Sequence, residues 1–200
     1  NPIPQPDNVY PYHKFETFAF EPTQQVYKLV VLENDWLRVK IFPEIGGKIW
    51  SIYDKTQGKE MFYDNDVVKF REISLRGPWT SGGIEFNYGV IGHAPSCAHP
   101  VDYKVETKED GSVSCYIGVM ELLTRTRWMV EINLPKDAVW VRTRSFWHNY
   151  SGDFQPYYTW ANSGVKVTDD MELIYPGTYT IGHDGVTTPY PVDEQGRDLS

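Results

Sequence analysis

The chain has 200 residues, 40% of them hydrophobic, which is enough for one sizeable domain with a buried core. No stretch approaches the roughly 18 unbroken apolar residues that a membrane-spanning helix needs, so we expect no membrane span. The formal net charge of -8 argues against a nucleic-acid partner, because nucleic-acid surfaces attract clusters of Lys and Arg.

The first 25 residues are predicted to form an extended arm, since four prolines stand among the polar residues from Asn1 to Tyr12. From Val26 onward, alternation of apolar and polar residues and short turns rich in Gly, Asn and Asp indicate β-strands. No segment carries an apolar stripe at helical spacing. The predicted strands are Val26–Leu32, Trp36–Phe42, Lys48–Tyr53, Glu60–Tyr63, Asp102–Thr107, Ser112–Leu122, Arg125–Leu134, Ala138–Trp147, Phe154–Val167 and Met171–Tyr175.

Strands of this kind, joined by short turns, predict an all-β fold, an antiparallel sandwich over residues 26–200. Between Val67 and Pro100 the pattern changes to a Gly-rich stretch with Arg, Trp, Glu, Asn and His interleaved. Long loops in compact domains are usually functional or disordered, and the Trp, Ile and Phe residues here favour an ordered, site-forming loop.

The C-terminal segment of the chain is expected to be the start of a loop that continues in a larger protein, with a disordered tail as the alternative. Residues Gly182–Ser200 are polar and rich in proline, and no strand follows to close the sheet. We therefore expect the sandwich to be incomplete at its C-terminal end, with further domains after Ser200. The chain begins at Asn1 without Met, which suggests a processed product, and we expect an exported protein of the periplasm or cell surface.

Two sequence segments resemble known families. Leu32–Val39 and Phe42–Ile49, followed by the Gly58-Lys59-Glu60 turn, resemble the galactose-mutarotase-like superfamily. The segment Ser81–Asn87, with the Gly92-His93 pair after it, is similar to the DUF5107 family, whose members occur in bacterial proteins, sometimes ahead of tetratricopeptide repeats. The resemblance covers the chain from about Val26 to its end.

The resemblance implies a β-supersandwich whose concave face binds a sugar. Aldose 1-epimerases of that fold use a His as general acid and a Glu as general base to open and reclose the sugar ring. The base is expected beyond Ser200, and the acid on the strand Tyr157–Asn162, which follows the Asn149–Pro156 turn. That strand contains no His, so the resemblance does not carry the epimerase mechanism over intact.

Glu85 and His93 are the predicted catalytic residues. A carboxylate on a Gly-rich loop can approach a ligand closely and act as acid or base, although an ion pair with Arg76 is the structural alternative. A His eight residues further on can bind a hydroxyl or move a proton near neutral pH, although a single His is often structural.

The predicted substrate-binding residues are those that would supply a cation, amides, imidazole or flat aromatic faces around Glu85. Trp160 and Asn162 share one face of a strand because they are two residues apart, which suits sugar binding as well as core packing. The aromatic content of 15% is consistent with both roles. The set is Arg76, Trp79, Asn87, His148, Trp160 and Asn162.

These residues predict a carbohydrate-binding, carbohydrate-active domain, either associated with glycoside hydrolysis or epimerase-like. The alternative is a non-catalytic glycan-binding or structural module. No cofactor is predicted, and no metal, because the spacing of His93 and His99 resembles no ligand motif. Cys97 and Cys115 are expected either to form one disulfide or to remain two buried thiols. Lys48 is expected to be solvated at the surface, with contact to a ligand carboxylate or phosphate as the alternative.

Overall fold

The computed structural model of the chain describes residue 12 and residues 21–72, 78–88, 93–182 and 184–199. Over these ranges the fold is an all-β antiparallel sandwich with a single 3-10 turn, Pro95–Ala98, and no α-helix. No helix of this part is long and apolar enough to cross a membrane. The strands are β1 (Val30–Glu33), β2 (Leu37–Phe42), β3 (Lys48–Asp54), β4 (Lys59–Glu60), β5 (Phe70–Glu72), β6 (Pro78–Thr80), β7 (Ile84–Tyr88), β8 (Asp102–Thr107), β9 (Val113–Glu121), β10 (Thr126–Leu134), β11 (Arg142–Asn149), β12 (Thr159–Ser163), β13 (Tyr179–Ile181) and β14 (Thr187–Pro189).

One sheet has six strands in the order β1-β2-β3-β7-β12, with β4 paired to β3. Its first hairpin turns at Asn34, whose Oδ1 accepts hydrogen bonds from the backbone N–H groups of Trp36 and Leu37, at 2.9 and 2.7 Å. Asn at this position stabilises a turn because its side chain replaces a backbone acceptor. The predictions of strands over Trp36–Phe42 and Lys48–Tyr53 are confirmed within one residue at each end.

The other sheet has four strands in the order β11-β10-β9-β8. Each strand pairs with the next along the chain, so local turns specify the whole sheet. In the β8–β9 turn, Asp110 Oδ1 accepts from Ser112 N at 2.9 Å, and Gly111 takes a positive φ of 78°. The predicted hairpins are confirmed here, except that β11 begins four residues later and ends two residues later than the predicted Ala138–Trp147.

The two sheets pack face to face on one hydrophobic core. Alternate residues of β10 face inward, and the ring of Trp128 stacks on Tyr88 of β7 with centroids 4.8 Å apart and planes 7° apart. Buried aliphatic and aromatic side chains of this size each stabilise a fold by about 1.5–3 kcal/mol. The fully buried members from both sheets include Leu37, Val39, Ile41, Ile49, Cys115, Ile117, Trp128, Val130, Ile132 and Leu134.

The prediction that Val67–Pro100 is one irregular loop is wrong in part. The described residues of this range, 67–72, 78–88 and 93–100, contain three strands, and β7 occupies the interior of the six-stranded sheet, between β3 and β12. Ile84, Phe86 and Tyr88 supply the apolar alternation that the neighbouring glycines concealed. Residues 93–100 are irregular apart from the 3-10 turn.

Other predicted strands are shorter than expected or absent. Val26–Leu32 starts only at Val30, Glu60–Tyr63 ends at Glu60, and Phe154–Val167 contains only β12. Met171–Tyr175 forms no strand, because its apolar side chains are exposed and have no sheet to pack on. The predicted arm over residues 1–25 falls largely outside the described residues.

The contacts divide the chain into two units, Asn1–Lys166 and Val167–Ser200, and their boundary falls inside residues 26–200, the range predicted as one domain. The first unit contains both sheets of the sandwich. The second contains the β13–β14 hairpin and a turn in which Asp193 Oδ1 accepts from the backbone N–H groups of Gln195 and Arg197.

Candidate functional site

Glu85 and Asn87 lie on the face of the six-stranded sheet that is turned away from the core. Their neighbours Phe86 and Tyr88 belong to the core, and successive side chains of a strand point to opposite faces. Glu85 and Asn87 are nevertheless buried, at 5% and 0% exposure. Residues of β6 and of the segment after His93 cover them, so the sheet's outer face carries a second, polar interior.

Glycines at the start of β7 allow it to come close to β3. Gly82 and Gly83 adopt positive φ angles of 78° and 58°, a region that side chains strongly disfavour. A Cβ on Gly83 would lie 2.1 Å from the carbonyl oxygen of Ile49. Only glycine fits this approach, which brings Glu85 next to β3.

One carboxylate oxygen of Glu85 is the centre of the polar cluster. Its Oε1 lies 2.5 Å from His93 Nδ1 and accepts from the amide nitrogens of Asn87 and Asn162, at 2.9 and 3.3 Å. Burial raises the pKa of this carboxyl, but the hydrogen bonds of His93 and Asn87 and the charges of His93 and Lys48 outweigh burial and hold the pKa below its usual value. Glu85 is therefore an ionised carboxylate near neutral pH.

Asn87 fixes the segment that carries His93. Its Oδ1 accepts from the backbone N–H of Ala94 at 2.8 Å and from the Cys97 thiol at 3.4 Å, while its Nδ2 donates to Glu85. Asn87 was predicted to bind substrate, but its amide is fully buried and engaged by the protein on both sides. Its observed contacts position His93 opposite Glu85.

The indole of Trp79 stacks on the imidazole of His93, with centroids 5.6 Å apart and planes 15° apart. Trp79 was predicted to offer a flat face to a sugar, and His93 occupies one of its two faces. The indole Nε1 is buried and has no hydrogen-bond partner in the described part of the chain. A buried donor without a partner costs about 1–3 kcal/mol, which a ligand acceptor would recover.

A cavity of about 290 Å³ opens beside this cluster. Its lining combines a carboxylate, an imidazole, an indole, an amide and three hydroxyls with the backbone of two glycines. Glu85 is the one carboxylate in the lining among the described residues. The lining residues are Trp79, Thr80, Ser81, Gly82, Glu85, His93, Asn162, Ser163 and Gly164.

Lys48 is buried, so the prediction that it is solvated at the surface is wrong. Expected at the surface, it is only 2% exposed, and its Nζ donates to Thr80 O, Thr80 Oγ1 and Ser81 O at 3.0, 2.9 and 3.3 Å. Burial lowers its pKa to about 8, and the nearby charge of Glu85 opposes this shift. The available signal was its place beside Ile49 and Trp50 in a strand with mostly apolar residues.

The remaining predicted residues lie at different distances from the cavity. The β7–β12 register pairs Glu85 with Asn162 and Asn87 with Trp160, so all four share one face. Trp160 packs on Tyr158 and does not line the cavity.

His148 lies on β11 of the other sheet, exposed beside Tyr150, and is not part of this cluster. Arg76 falls outside the described residues, so its predicted role stays a prediction.

Neither cysteine of the chain is in a disulfide. Cys97 and Cys115 are free and buried. Burial raises the pKa of the Cys97 thiol well above its usual value and that of the Cys115 thiol to about 12. Of the two alternatives from the sequence, two buried thiols is therefore the observed one. Over the described ranges no three His, Cys, Asp or Glu side chains are grouped to hold a metal ion.

Comparison with known proteins gives one family and two solved structures. The family described as "Domain of unknown function (DUF5107)" matches residues 4–200. A crystal structure of a TPR-domain containing protein from Parabacteroides distasonis is 27% identical in sequence and superposes with a TM-score of 0.70. That match covers 78% of this chain and 27% of the other, so the chain spans about a quarter of the length of that protein. The Slr1438 protein from Synechocystis is 14% identical, with a TM-score of 0.45, over 66% of this chain and 52% of the other.

Proposed function

The chain belongs to the DUF5107 family, and we propose that it binds one ring of a neutral sugar in the cavity beside Glu85. The observation that carries this proposal is the cavity itself, in which the buried carboxylate, the Asn162 amide and the Trp79 indole converge. Ligand sites are typically concave, with a few placed polar groups and aromatic surface.

The size of the cavity supports a single ring. Its volume of about 290 Å³ lies at the lower end of the roughly 300–1,000 Å³ that small-molecule pockets occupy, which favours a ligand of one ring. A longer glycan would have to extend beyond the cavity, with only one residue inside it.

The charges of the lining support a neutral ligand. Glu85 is ionised and accepts hydrogen bonds well, and the Asn162 amide and the Ser81 hydroxyl also line the cavity. Sugar hydroxyls both donate and accept, so they match this mixture of groups. An acidic sugar would bring a second carboxylate near Glu85, and like charges in a poorly solvated site repel each other.

Catalysis is a second candidate, favoured by the 2.5 Å contact between Glu85 and His93, across which a proton can pass. Two features make recognition the better supported function. A glycosidase needs a paired carboxylate, and Glu85 is the one carboxylate of the described lining. On the strand where the resemblance to aldose epimerases implies an acid His, Asn162 faces Glu85 instead.

We extend the proposal to the rest of the protein. The antiparallel sandwich and the Gly46-Gly47 and Gly58-Lys59-Glu60 turns support a galactose-mutarotase-like relationship. We propose further that the chain is part of a longer, exported protein; the greater length is supported by the TPR-domain containing protein of Parabacteroides distasonis, of which the match covers 27%.

The test is a calorimetric titration of the chain with a panel of neutral monosaccharides, amino sugars and uronic acids. We expect a neutral hexose or its glycoside to bind, and Glu85→Gln to weaken binding about 10- to 100-fold, because a charge-assisted hydrogen bond contributes about 1.5–3 kcal/mol. The matched control is Glu109→Gln, an exposed carboxylate of the β8–β9 turn. An unchanged affinity in Glu85→Gln, or no binding across the panel, would contradict the proposal.

The same panel distinguishes binding from catalysis. Nuclear magnetic resonance exchange between the two anomers of the bound hexose reports ring opening directly. We expect the protein to leave the interconversion rate unchanged; an acceleration that is lost in His93→Gln would favour the catalytic candidate.

A further inference from the structure

Lys48 places a positive charge in the buried layer behind the cavity. Its ammonium has three N–H groups, and each has an acceptor on residues 80 and 81. Lys48 does not line the cavity, whereas Thr80 and Ser81 do. A ligand in the cavity therefore meets the two residues that Lys48 holds, and not Lys48 itself.

This arrangement is costly for folding alone. All three acceptors are neutral, and the ammonium has no carboxylate in direct contact among the described residues; the indole ring of Trp50, 5.3 Å away, offers partial compensation. Buried charges are usually neutral or unfavourable for stability compared with an apolar side chain of the same size.

We propose that Lys48 is a positioning residue of the sugar site, which holds the rim formed by Thr80 and Ser81, and with it Trp79, against Glu85 and His93. The inference rests on the proposed function. Trp79 directly precedes Thr80 on β6, so the three hydrogen bonds fix the backbone from which the indole projects. Because the Trp79 indole stacks on the His93 imidazole, Lys48 also fixes the position of the ring against which His93 packs.

The direct test compares Lys48→Met with wild-type protein in sugar affinity and in thermal unfolding. We expect the variant to fold but to unfold at a lower temperature, because the carbonyls of Thr80 and Ser81 lose their donor and Glu85 loses a nearby positive charge. We expect it to bind the sugar about tenfold more weakly or worse at temperatures where it is folded. Lys59→Met on β4 of the same sheet is the matched control, because Lys59 is exposed, and it is expected to change neither quantity. Wild-type affinity in Lys48→Met would overturn the proposal.

The pH dependence of binding provides a readout that does not require the variant to fold. The ionisable groups that face Lys48 among the described residues are Glu85 from β7 and Cys97 from the 3-10 turn, and His93 in turn faces Glu85. Burial lowers the pKa of Lys48 to about 8, whereas the pKa of Glu85 lies below its usual value and that of Cys97 well above its usual value. Of these three groups, only Lys48 therefore changes its charge near pH 8. Wild-type affinity should fall as pH rises through about 8, and a flat profile there would contradict the proposal.

A measurement without sugar separates this inference from the proposed function. The ring current of Trp79 displaces the proton resonances of the stacked His93 ring upfield, and Trp79→Leu gives their position without stacking. Lys48→Met should move them toward the Trp79→Leu values, and Lys59→Met should not. If they move but no sugar binds to wild-type protein, the positioning role stands and the sugar function fails; if they do not move, the positioning role fails.

Discussion

A buried carboxylate on the outer face of a sheet is the residue-level feature that most needs explanation. Glu85 is 5% exposed, yet it stays ionised because His93, Asn87 and Asn162 all contact one of its oxygens. Leaving such a group without partners would cost several kcal/mol. The cluster is therefore a unit in which removal of the charge affects stability as well as binding.

This dependence has a sign that can be tested. The pKa of Glu85 is lower in the folded protein than its usual value. The ionised carboxylate therefore stabilises the fold fully at any pH above its usual pKa. This stabilisation is lost as the pH falls through the lower pKa of the folded protein. We expect Glu85→Gln to reduce the free energy of unfolding by about 1–3 kcal/mol at pH 7. Urea unfolding at pH 7, 5 and 3 should show this difference shrinking toward acid.

Glu109→Gln serves as the control for the acid series, because Glu109 is exposed in a turn. It should track the wild-type protein at every pH. A penalty in Glu85→Gln that stays constant from pH 7 to pH 3 would mean that the charge of Glu85 does not contribute to stability.

At the level of elements, the site depends on how closely β7 approaches β3. Gly83, which lies directly before β7, must be glycine for two reasons. Its φ is positive, at 58°, and an added Cβ would lie 2.1 Å from the carbonyl oxygen of Ile49. The left-handed conformation costs an ordinary residue about 1–2 kcal/mol, and overpacking against rigid backbone about 1–3 kcal/mol more. We therefore expect Gly83→Ala to destabilise the fold by about 2–5 kcal/mol in urea unfolding.

Gly58→Ala isolates the contribution of the close approach. Gly58 has a similar φ of 67°, but its added Cβ would meet only Tyr53 Oη at 3.8 Å, an ordinary contact. It should therefore cost only the conformational part, about 1–2 kcal/mol. Equal penalties for the two variants would show that β7 can move away from β3 without loss.

The strands differ in how well the sequence predicts them. The β8–β9 and β9–β10 hairpins were predictable because their turns and their alternation are local signals that agree with each other. β7 was not, because its outward residues, Glu85 and Asn87, are types that strands disfavour and its glycines suggest a loop. Its apolar residues can be assigned to the core only when the neighbouring strands of the sheet are known.

For the molecule as a whole, the candidate site depends on non-local topology. Glu85 and Asn162 are 77 positions apart and become partners only because β12 pairs with β7. Sequence patterns identified both residues, but no pattern specifies which strands are neighbours in a sheet. The burial of Lys48 escaped prediction for the same reason, since the residues that cover it come from β6.

The two thiols allow opening of the site to be distinguished from unfolding of the whole sandwich. Cys115 is fully buried in the core between the sheets, whereas Cys97 lies in the 3-10 turn over Asn87. Local openings expose less surface than global unfolding and therefore depend less on denaturant. We expect Cys97 to react with a thiol reagent faster than Cys115, and with a weaker dependence on urea concentration.

Single-thiol variants assign the two rates, with Cys115→Ser reporting Cys97 and Cys97→Ser reporting Cys115. Binding of a sugar beside Glu85 should slow the reaction of Cys97 at low urea, because the ligand holds closed the segment that carries His93. The reaction of Cys115 should instead follow the free energy of global unfolding at every urea concentration. Equal rates with the same steep urea dependence would show that the polar layer opens only when the whole sandwich unfolds, and the site would then be part of one cooperative unit.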